Sequence, residues 1–200
     1  MTDGSEMAFA HTYQPVMDLV KESLALSFSQ SQGSIRERLL QASIVLEAAM
    51  AKRFPSSEEF GENQYVATFI ATVISGNQIF SAWIGSQQAK LFRGSCCVKA
   101  TVPHIFVAPG TGNKIALTTK CLSTVSGGPR EQVDIEGPWN LCVGDVLVIA
   151  DYCLFALGTD DEITSILSRA PDSAARSLVE WAERVQHQFA QSAIVIRAEW

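Results

Sequence analysis

The stretch ATFIATVISGNQIFSAWIGSQQAKLFR, from Ala67 to Arg93, decides the fold. It holds nearly all of one β-rich run, Tyr65–Ser75, and the whole of a second, Gln78–Ile84. Only the dipeptide Gly76-Asn77 separates the two runs. Both turn residues accept positive φ angles, so the pattern predicts a tight β-hairpin. The chain is therefore expected to be organised around antiparallel strands.

Helical patterns precede this hairpin. A first helix is predicted to begin at Pro15, because proline suits the first turn of a helix. A second is predicted to begin after Ser34, with Glu37 as its capping-box partner, and to end before Pro55. Residues 1–13 are expected to form a tail or one edge strand, and residues 14–200 the folded domain.

Further strands and then helices follow the hairpin. Short strands are predicted at Ala89–Phe92, His104–Ala108, Ile115–Thr118, Cys121–Val125, Val133–Ile135, Asp145–Ala150 and Ala193–Ala198. The acidic residues Asp160–Glu162 are expected to begin one helix, and Asp172 or Ser173 to cap a longer one. Helices grouped apart from hairpin-connected strands predict an α+β fold with antiparallel sheets.

Composition narrows the function classes. The 200 residues suit a single domain, and their net charge of −6 disfavours binding to phosphate backbones, so no nucleic-acid partner is expected. No apolar run reaches the roughly 20 residues that span a bilayer, so no membrane partner is expected. Five cysteines without a C-x-x-C pair favour reduced thiols and a cytoplasmic location.

Few residues offer ready-made chemistry. The three histidines, His11, His104 and His187, lie far apart in the sequence, so each is expected to be structural or solvated. Nucleophile elbows, P-loops and dinucleotide fingerprints are absent from the sequence.

Three segments together resemble a known enzyme family. Ala67–Arg93 is similar to the central hairpin of the PP2C-like (PPM-type) metal-dependent serine/threonine protein phosphatases. Leu141–Ile163 resembles the family's Gly-Asp strand with its Ser-Asp-Gly motif, and Gln191–Arg197 resembles its final Asp-Asn strand. The resemblance covers about residues 14–200. It implies a PP2C-like α-β-β-α sandwich of mostly antiparallel sheets flanked by helices, shortened at the N-terminus relative to the family.

The family's chemistry depends on acidic residues that hold two Mn²⁺ or Mg²⁺ ions around a bridging water. The aligned positions of this sequence lack those acids. They hold the following residues: Gly85 and Ser86 at the Gly-Asp-Ser-Arg corner, Asp151, Tyr152 and Cys153 at Ser-Asp-Gly, and Gln191 and Ser192 at Asp-Asn. The metal-binding aspartate is thus replaced by Tyr152, with Asp151 displaced by one residue.

Two carboxylates remain weak metal candidates, namely Asp3 in the N-terminal Asp-Gly and Asp151. Gly144 and Asp145, in the matched Gly-Asp, are interpreted as a structural turn whose carboxylate accepts backbone N–H bonds. No catalytic residue and no cofactor are expected; Mn or Mg would be needed only if a rearranged site exists.

Three functions follow from the resemblance. The first is a degenerate member, a pseudophosphatase acting as a regulatory or protein-binding module for a kinase, a phosphatase or a phosphoprotein. The second is a divergent metal-dependent phosphatase that uses Asp3, Asp151 and another carboxylate. The third is an assembly module, because missing N-terminal strands would leave a sheet edge uncovered and open to a homodimer or a partner strand.

Overall fold

The computed structural model describes residues 4–53, 66–107, 116–123, 132–185 and 192–199. Five helices and eleven strands lie in these ranges. In chain order they are α1 (Gly4–Gln30), α2 (Ile35–Arg53), β1 (Val66–Ala67), β2 (Phe69–Ser75), β3 (Gln78–Ile84), β4 (Gln87–Arg93), β5 (Cys96–Ala100), β6 (Ile105–Val107), β7 (Ala116–Thr118), β8 (Leu122–Ser123), β9 (Asp134–Asn140), β10 (Val146–Asp151), α3 (Tyr152–Ala156), α4 (Asp160–Leu167), α5 (Pro171–Val185) and β11 (Ala193–Arg197).

Two antiparallel sheets form the centre of the molecule. One has the strand order β11-β10-β4-β5 and the other the order β2-β3-β9. Short ladders join β1 to β8 and β6 to β7. Helices α3, α4 and α5 cover the outer face of the first sheet, and α1 and α2 cover the second. This layering confirms the α+β sandwich that the sequence predicted.

The side-chain alternation of the strands divides the core into layers. Ile79, Leu91 and Leu147, all 1% exposed or less, lie between the two sheets. Phe92 and Val148, next to them in sequence, point to the opposite face and pack against α4 and α5. Strand β10 is therefore apolar on both faces, as a strand inside a covered sheet is, whereas β4 also carries Gln88 and Lys90 on the face that holds Phe92.

The predicted hairpin is confirmed. Strands β2 and β3 pair from Ser75 opposite Gln78 to Phe69 opposite Ile84, and Gly76 has a φ of +56°. A two-residue turn with this backbone matches the right-handed twist of the strands it joins.

The predicted start of α2 is also confirmed. The Ser34 N–H donates to Glu37 Oε2 at 2.8 Å, and the Glu37 N–H donates back to Ser34 Oγ at 3.3 Å. This reciprocal capping box satisfies two amides that the helix itself cannot pair. The helix ends at Arg53, before Pro55, as expected.

The prediction for the N-terminus was wrong. Residues 4–13, expected in a tail or an edge strand, belong to α1, and Pro15 lies inside this helix instead of opening it. A proline inside a helix costs a hydrogen bond. Burial of Val16 and Val20 against α2 and the second sheet offsets that cost. Asp3 lies outside the described residues.

Several elements were missed or misplaced. Strand β5 and helix α3 were not predicted, and β9 continues to Asn140 although Gly137 and Pro138 are turn residues. Helix α4, by contrast, begins at Asp160 as predicted, with Thr159 as its N-cap. Helix α5 begins at Pro171, ahead of both residues proposed as its cap.

Candidate functional site

The positions that carry the family resemblance meet at one end of the four-stranded sheet. Gly85 and Ser86 connect β3 to β4, and α3 begins directly after β10. Gln87 pairs with Asp151, and the Tyr152 N–H donates to the Ser86 carbonyl at 2.9 Å. We call the group Gly85, Ser86, Asp151, Tyr152 and Cys153 the corner site.

The C-terminal positions approach the same end. Ala193 pairs with Ala150, which brings the exposed Ser192 to the end of the sheet where β10 finishes. Gln191 lies outside the described residues, so its contribution stays a prediction.

Asp151 has a defined local role. Its Oδ2 accepts a 2.6 Å hydrogen bond from the Ser86 hydroxyl, and its Oδ1 accepts one of 2.9 Å from the Cys153 N–H. With φ of −67° and ψ of 149°, Asp151 is the N-cap of α3. An aspartate in this position satisfies an amide at the helix start and interacts favourably with the positive end of the helix dipole. Both carboxylate oxygens are therefore engaged within the corner site.

Gly85 is required by its surroundings. Its φ is +106°, and a Cβ added there would lie 2.3 Å from Cβ of Thr68. Thr68 is held in place by the Gln87 side chain, whose Nε2 donates to Thr68 Oγ1 at 2.9 Å. A residue with a side chain at position 85 would thus meet both backbone strain and a steric clash.

His104 contacts the corner site through the backbone of Gly85. Its Nδ1 accepts the Gly85 N–H at 3.1 Å, and its Nε2 lies 2.8 Å from Asp134 Oδ2. Because Nδ1 accepts a backbone proton, the hydrogen of the neutral ring is on Nε2 and is donated to Asp134. The ring also stacks on Trp83, with a centroid distance of 6.2 Å.

This link between His104 and Gly85 was not anticipated from the sequence. The two residues are 19 positions apart, and neither lies in a spacing pattern that predicts contact. The sequence predicted that His104 would be either structural or solvated; it is buried and structural.

Cys153 is not poised as a nucleophile. Desolvation by burial, followed by the nearby negative charge of Asp151, raises the pKa of Cys153 to about 11. At neutral pH the group is a thiol, whereas the thiolate is the reactive form.

Gly144 and Asp145 lie at the other end of the β4–β10 pair. The Asp145 side chain is 1% exposed, and its Oδ2 accepts the Cys142 N–H at 2.8 Å. Arg93 donates to both carboxylate oxygens, at 2.9 and 2.8 Å. The hydrogen bond from Arg93 is the largest cause of a lowered pKa of Asp145. This is a bidentate pair that closes a turn.

A cleft of about 670 Å³ lies near that same end. Phe92 and Leu167 line it with apolar atoms, while Ser165 and Arg197 line it with polar ones. The guanidinium of Arg197 donates to the carbonyls of Leu167 and Arg169, so it is engaged in ending α4.

The corner site does not fit a two-metal centre on the residues described. Mn²⁺ and Mg²⁺ take several hard oxygen ligands, usually including more than one carboxylate. In the described ranges, no group of three His, Cys, Asp or Glu side chains is placed to hold a metal ion. The one carboxylate of the corner site, Asp151, already accepts two hydrogen bonds. Asp3 and Gln191 are not among the described residues.

No protein-family model matches the sequence, and no curated protein matches it either. Solved structures do match. The serine/threonine phosphatase PstP/Ppp of Mycobacterium tuberculosis superposes with a TM-score of 0.71 at 19% identity, over 94% of this chain and 83% of that one. The chain has the PP2C-like phosphatase fold.

Two further structures agree with this PP2C-like fold. PppA, a key regulatory component of T6SS in Pseudomonas aeruginosa, gives a TM-score of 0.63 at 17% identity, over 91% of this chain and 80% of that one. The catalytic domain of PstP in complex with two manganese ions gives 0.64 at 18% identity, over 91% and 79%. At such identities the likeness establishes the fold, whereas function has to be argued from the site.

None of the described helices is long and apolar enough to cross a membrane.

Proposed function

We propose that this PP2C-like domain is a pseudophosphatase, which acts as a regulatory or protein-binding module without two-metal chemistry. The engagement of Asp151 supports this proposal. Its two oxygens hold the Ser86 hydroxyl and the Cys153 N–H, so the carboxylate is used to cap α3.

The replacement at the neighbouring position supports the same conclusion. By the family resemblance, Tyr152 stands where a metal-binding aspartate would be, and a neutral phenol is a poor ligand for Mn²⁺ or Mg²⁺. If Asp151 turned toward a metal instead, Ser86 and the Cys153 N–H would each lose a partner. Losing an N-cap alone costs about 1 kcal/mol.

The partner we propose is a protein, either a kinase, a phosphatase or a phosphoprotein, in the cytoplasm. A regulatory role has a precedent in this fold, since PppA is a key regulatory component of T6SS. Nucleic acid is a poor partner for a chain with a net charge of −6.

Metal titration and turnover test the proposal directly. Calorimetry with Mn²⁺ or Mg²⁺ is expected to show no binding in the micromolar range, and an aryl phosphate is expected not to be hydrolysed above the blank. An active PP2C phosphatase, assayed in the same buffer, serves as the positive control. Micromolar binding at two sites together with turnover would overturn the proposal.

The rival function is a divergent metal-dependent phosphatase. The shared fold with PstP, which was solved with two manganese ions, is the observation in its favour. Its site would use Asp3, Asp151 and another carboxylate. In that case Asp151→Ala and Asp3→Ala would each abolish hydrolysis, whereas a pseudophosphatase has no hydrolysis to lose.

A further inference from the structure

Strand β2 ends its sheet with one edge unpaired among the described residues. Ser75 and Gln78 close a two-residue turn and so exchange hydrogen bonds with each other. In an antiparallel ladder such pairs alternate with pairs that do not exchange hydrogen bonds. The N–H and C=O groups of Ile70, Thr72 and Ile74 therefore point outward, away from β3.

Two of the other three edges of the large sheets, β9 and β5, carry the usual protection against pairing. Strand β9 holds Asp134 and Glu136 and has a register shift against β3. Strand β5 holds Lys99 and also has a register shift, whereas β11 is regular and its one charged residue, Arg197, is bound to carbonyls at the end of α4. Charges and bulges of this kind keep an edge from joining another chain.

Strand β2 has no such protection. Its sequence FIATVIS contains neither a charged residue nor a proline, and its register with β3 is regular over all seven residues. Its side chains are apolar on both faces, with Phe69 in the helix-covered core and Ile70 against the core between the sheets. Strands with two apolar faces belong inside a sheet, yet Ile74 is 39% exposed.

We propose that β2 pairs antiparallel with β2 of a second copy of this chain, which joins the two three-stranded sheets into one. A twofold axis at Thr72 places Ile70 opposite Ile74 of the partner subunit, and Ile74 opposite the partner subunit's Ile70. These are the residues whose backbone groups point outward, so each can exchange two hydrogen bonds with its opposite. Side chains of the same face then meet, as pairing in a sheet requires.

The charge pattern favours a second copy over an unrelated strand. When a strand pairs with itself, any charge near the axis meets a like charge, which is destabilising. Strand β2 avoids this, although each copy carries a net charge of −6 elsewhere. A twofold contact is also closed, so it consumes the edge in both copies and does not propagate into a fibre.

Oligomeric state is the first test, made on the whole purified chain. Light scattering or sedimentation equilibrium is expected to give twice the chain mass of 21.7 kDa. Ile74→Lys adds an edge charge next to the axis and is expected to give a monomer with an unchanged circular dichroism spectrum. Ile194→Lys is the matched control, because Ile194 is 56% exposed on the edge strand β11. This variant is expected to remain a dimer.

Hydrogen exchange locates the contact without any substitution. The amides of Ile70, Thr72 and Ile74 are expected to exchange more slowly as protein concentration rises. The amides of β11 are expected not to respond. Three results would overturn the proposal: a wild-type monomer at every concentration reached, a dimer that Ile194→Lys disrupts and Ile74→Lys does not, or a dimer whose β2 amides exchange at the monomer rate. None of these depends on whether the corner site binds metal.

Discussion

The hydroxyl of Ser86 donates a 2.6 Å hydrogen bond to Oδ2 of Asp151, between residues that are 65 positions apart. This bond fastens the connection between β3 and β4 to the start of α3. The Tyr152 N–H, which donates to the Ser86 carbonyl, adds a second link at the same point. The corner site is therefore held together by hydrogen bonds of Ser86 with Asp151 and with the backbone of Tyr152. Their contribution to the stability of the fold can be measured without any assay of catalysis.

Removing the Asp151 side chain should destabilise the fold. Asp151→Ala deletes the cap of α3 and the acceptor of the Ser86 hydroxyl, at an expected cost of about 1–2 kcal/mol in the free energy of unfolding. Asp151→Ser is the matched control, since serine caps helices about as well as aspartate and should recover most of the loss. Urea unfolding measures both. Equal destabilisation by the two variants would contradict the capping role.

A methyl group at Gly85 should be costly. Gly85→Ala combines a φ of +106° with a Cβ only 2.3 Å from the Thr68 side chain, so we expect a loss of at least about 2 kcal/mol. Gly94→Ala separates the two effects, because Gly94 has a φ of +60° and no atom within 4 Å of the added Cβ. Gly94→Ala should therefore lower the free energy of unfolding by only about 1 kcal/mol. Thermal unfolding of the two variants measures both losses of stability. A larger loss for Gly94→Ala than for Gly85→Ala would refute the steric argument.

Arg93 should stabilise the turn that holds Asp145. Arg93→Ala leaves a carboxylate that is 1% exposed without its cationic partner, and we expect the free energy of unfolding to fall. Arg93→Lys retains the charge but not the two-pronged geometry, so it should lose less. Denaturant midpoints of the three proteins provide the measurement, and an unchanged midpoint for Arg93→Ala would show that the ion pair contributes nothing.

The same pair predicts a pH dependence of stability. Arg93 lowers the pKa of Asp145 in the folded protein, whereas an unfolded aspartate has a pKa of about 3.9. A lowered folded pKa stabilises the protein above the unfolded value, and this contribution is lost as pH falls through the folded pKa. Wild type and Asp145→Asn should therefore differ most near neutral pH and converge in acid. A difference that grows in acid would contradict the assignment.

The rate at which each cysteine is alkylated should depend on its exposure and on the pKa of its thiol. Cys96 is exposed, while the pKa of Cys153 is raised to about 11. At about pH 8 the thiolate fraction of Cys153 is roughly a hundredfold below that of an ordinary cysteine. Mass spectrometry after iodoacetamide treatment should find Cys96 modified early and Cys153 late. Early modification of Cys153 would indicate an activated thiol.

Local sequence signals predicted the elements that depend on neighbouring residues. The turn at Gly76-Asn77 and the capping box of Ser34 and Glu37 need contacts within only a few positions. Strand β9 behaves differently, because Gly137 and Pro138 are typical of turns and the strand exists through its pairing with β3. Sequence periodicity carries no information on such a distant partner.

The candidate site also has features that the sequence can predict and features that depend on distant contacts. Asp151 and Tyr152 lie where β10 meets α3, while the alignment of Tyr152 with the family's metal-binding aspartate stays a prediction. The partner of each side chain was not predictable, since Ser86 meets Asp151 and His104 meets Gly85 only after the sheets assemble. Thr68 and Gln87, which shape the corner, carry no motif at all.

The pairing of β4 with β10 also orders the folding of the chain in time. Phe92 and Val146 lie opposite each other in the sheet but far apart in sequence, and closing so long a loop costs entropy before any contact is gained. The α1–α2 and β2–β3 hairpins need only short loops, so they should form first. The four-stranded sheet should follow over milliseconds to seconds. Pulse-labelled hydrogen exchange should accordingly protect the amides of β3 before those of β10.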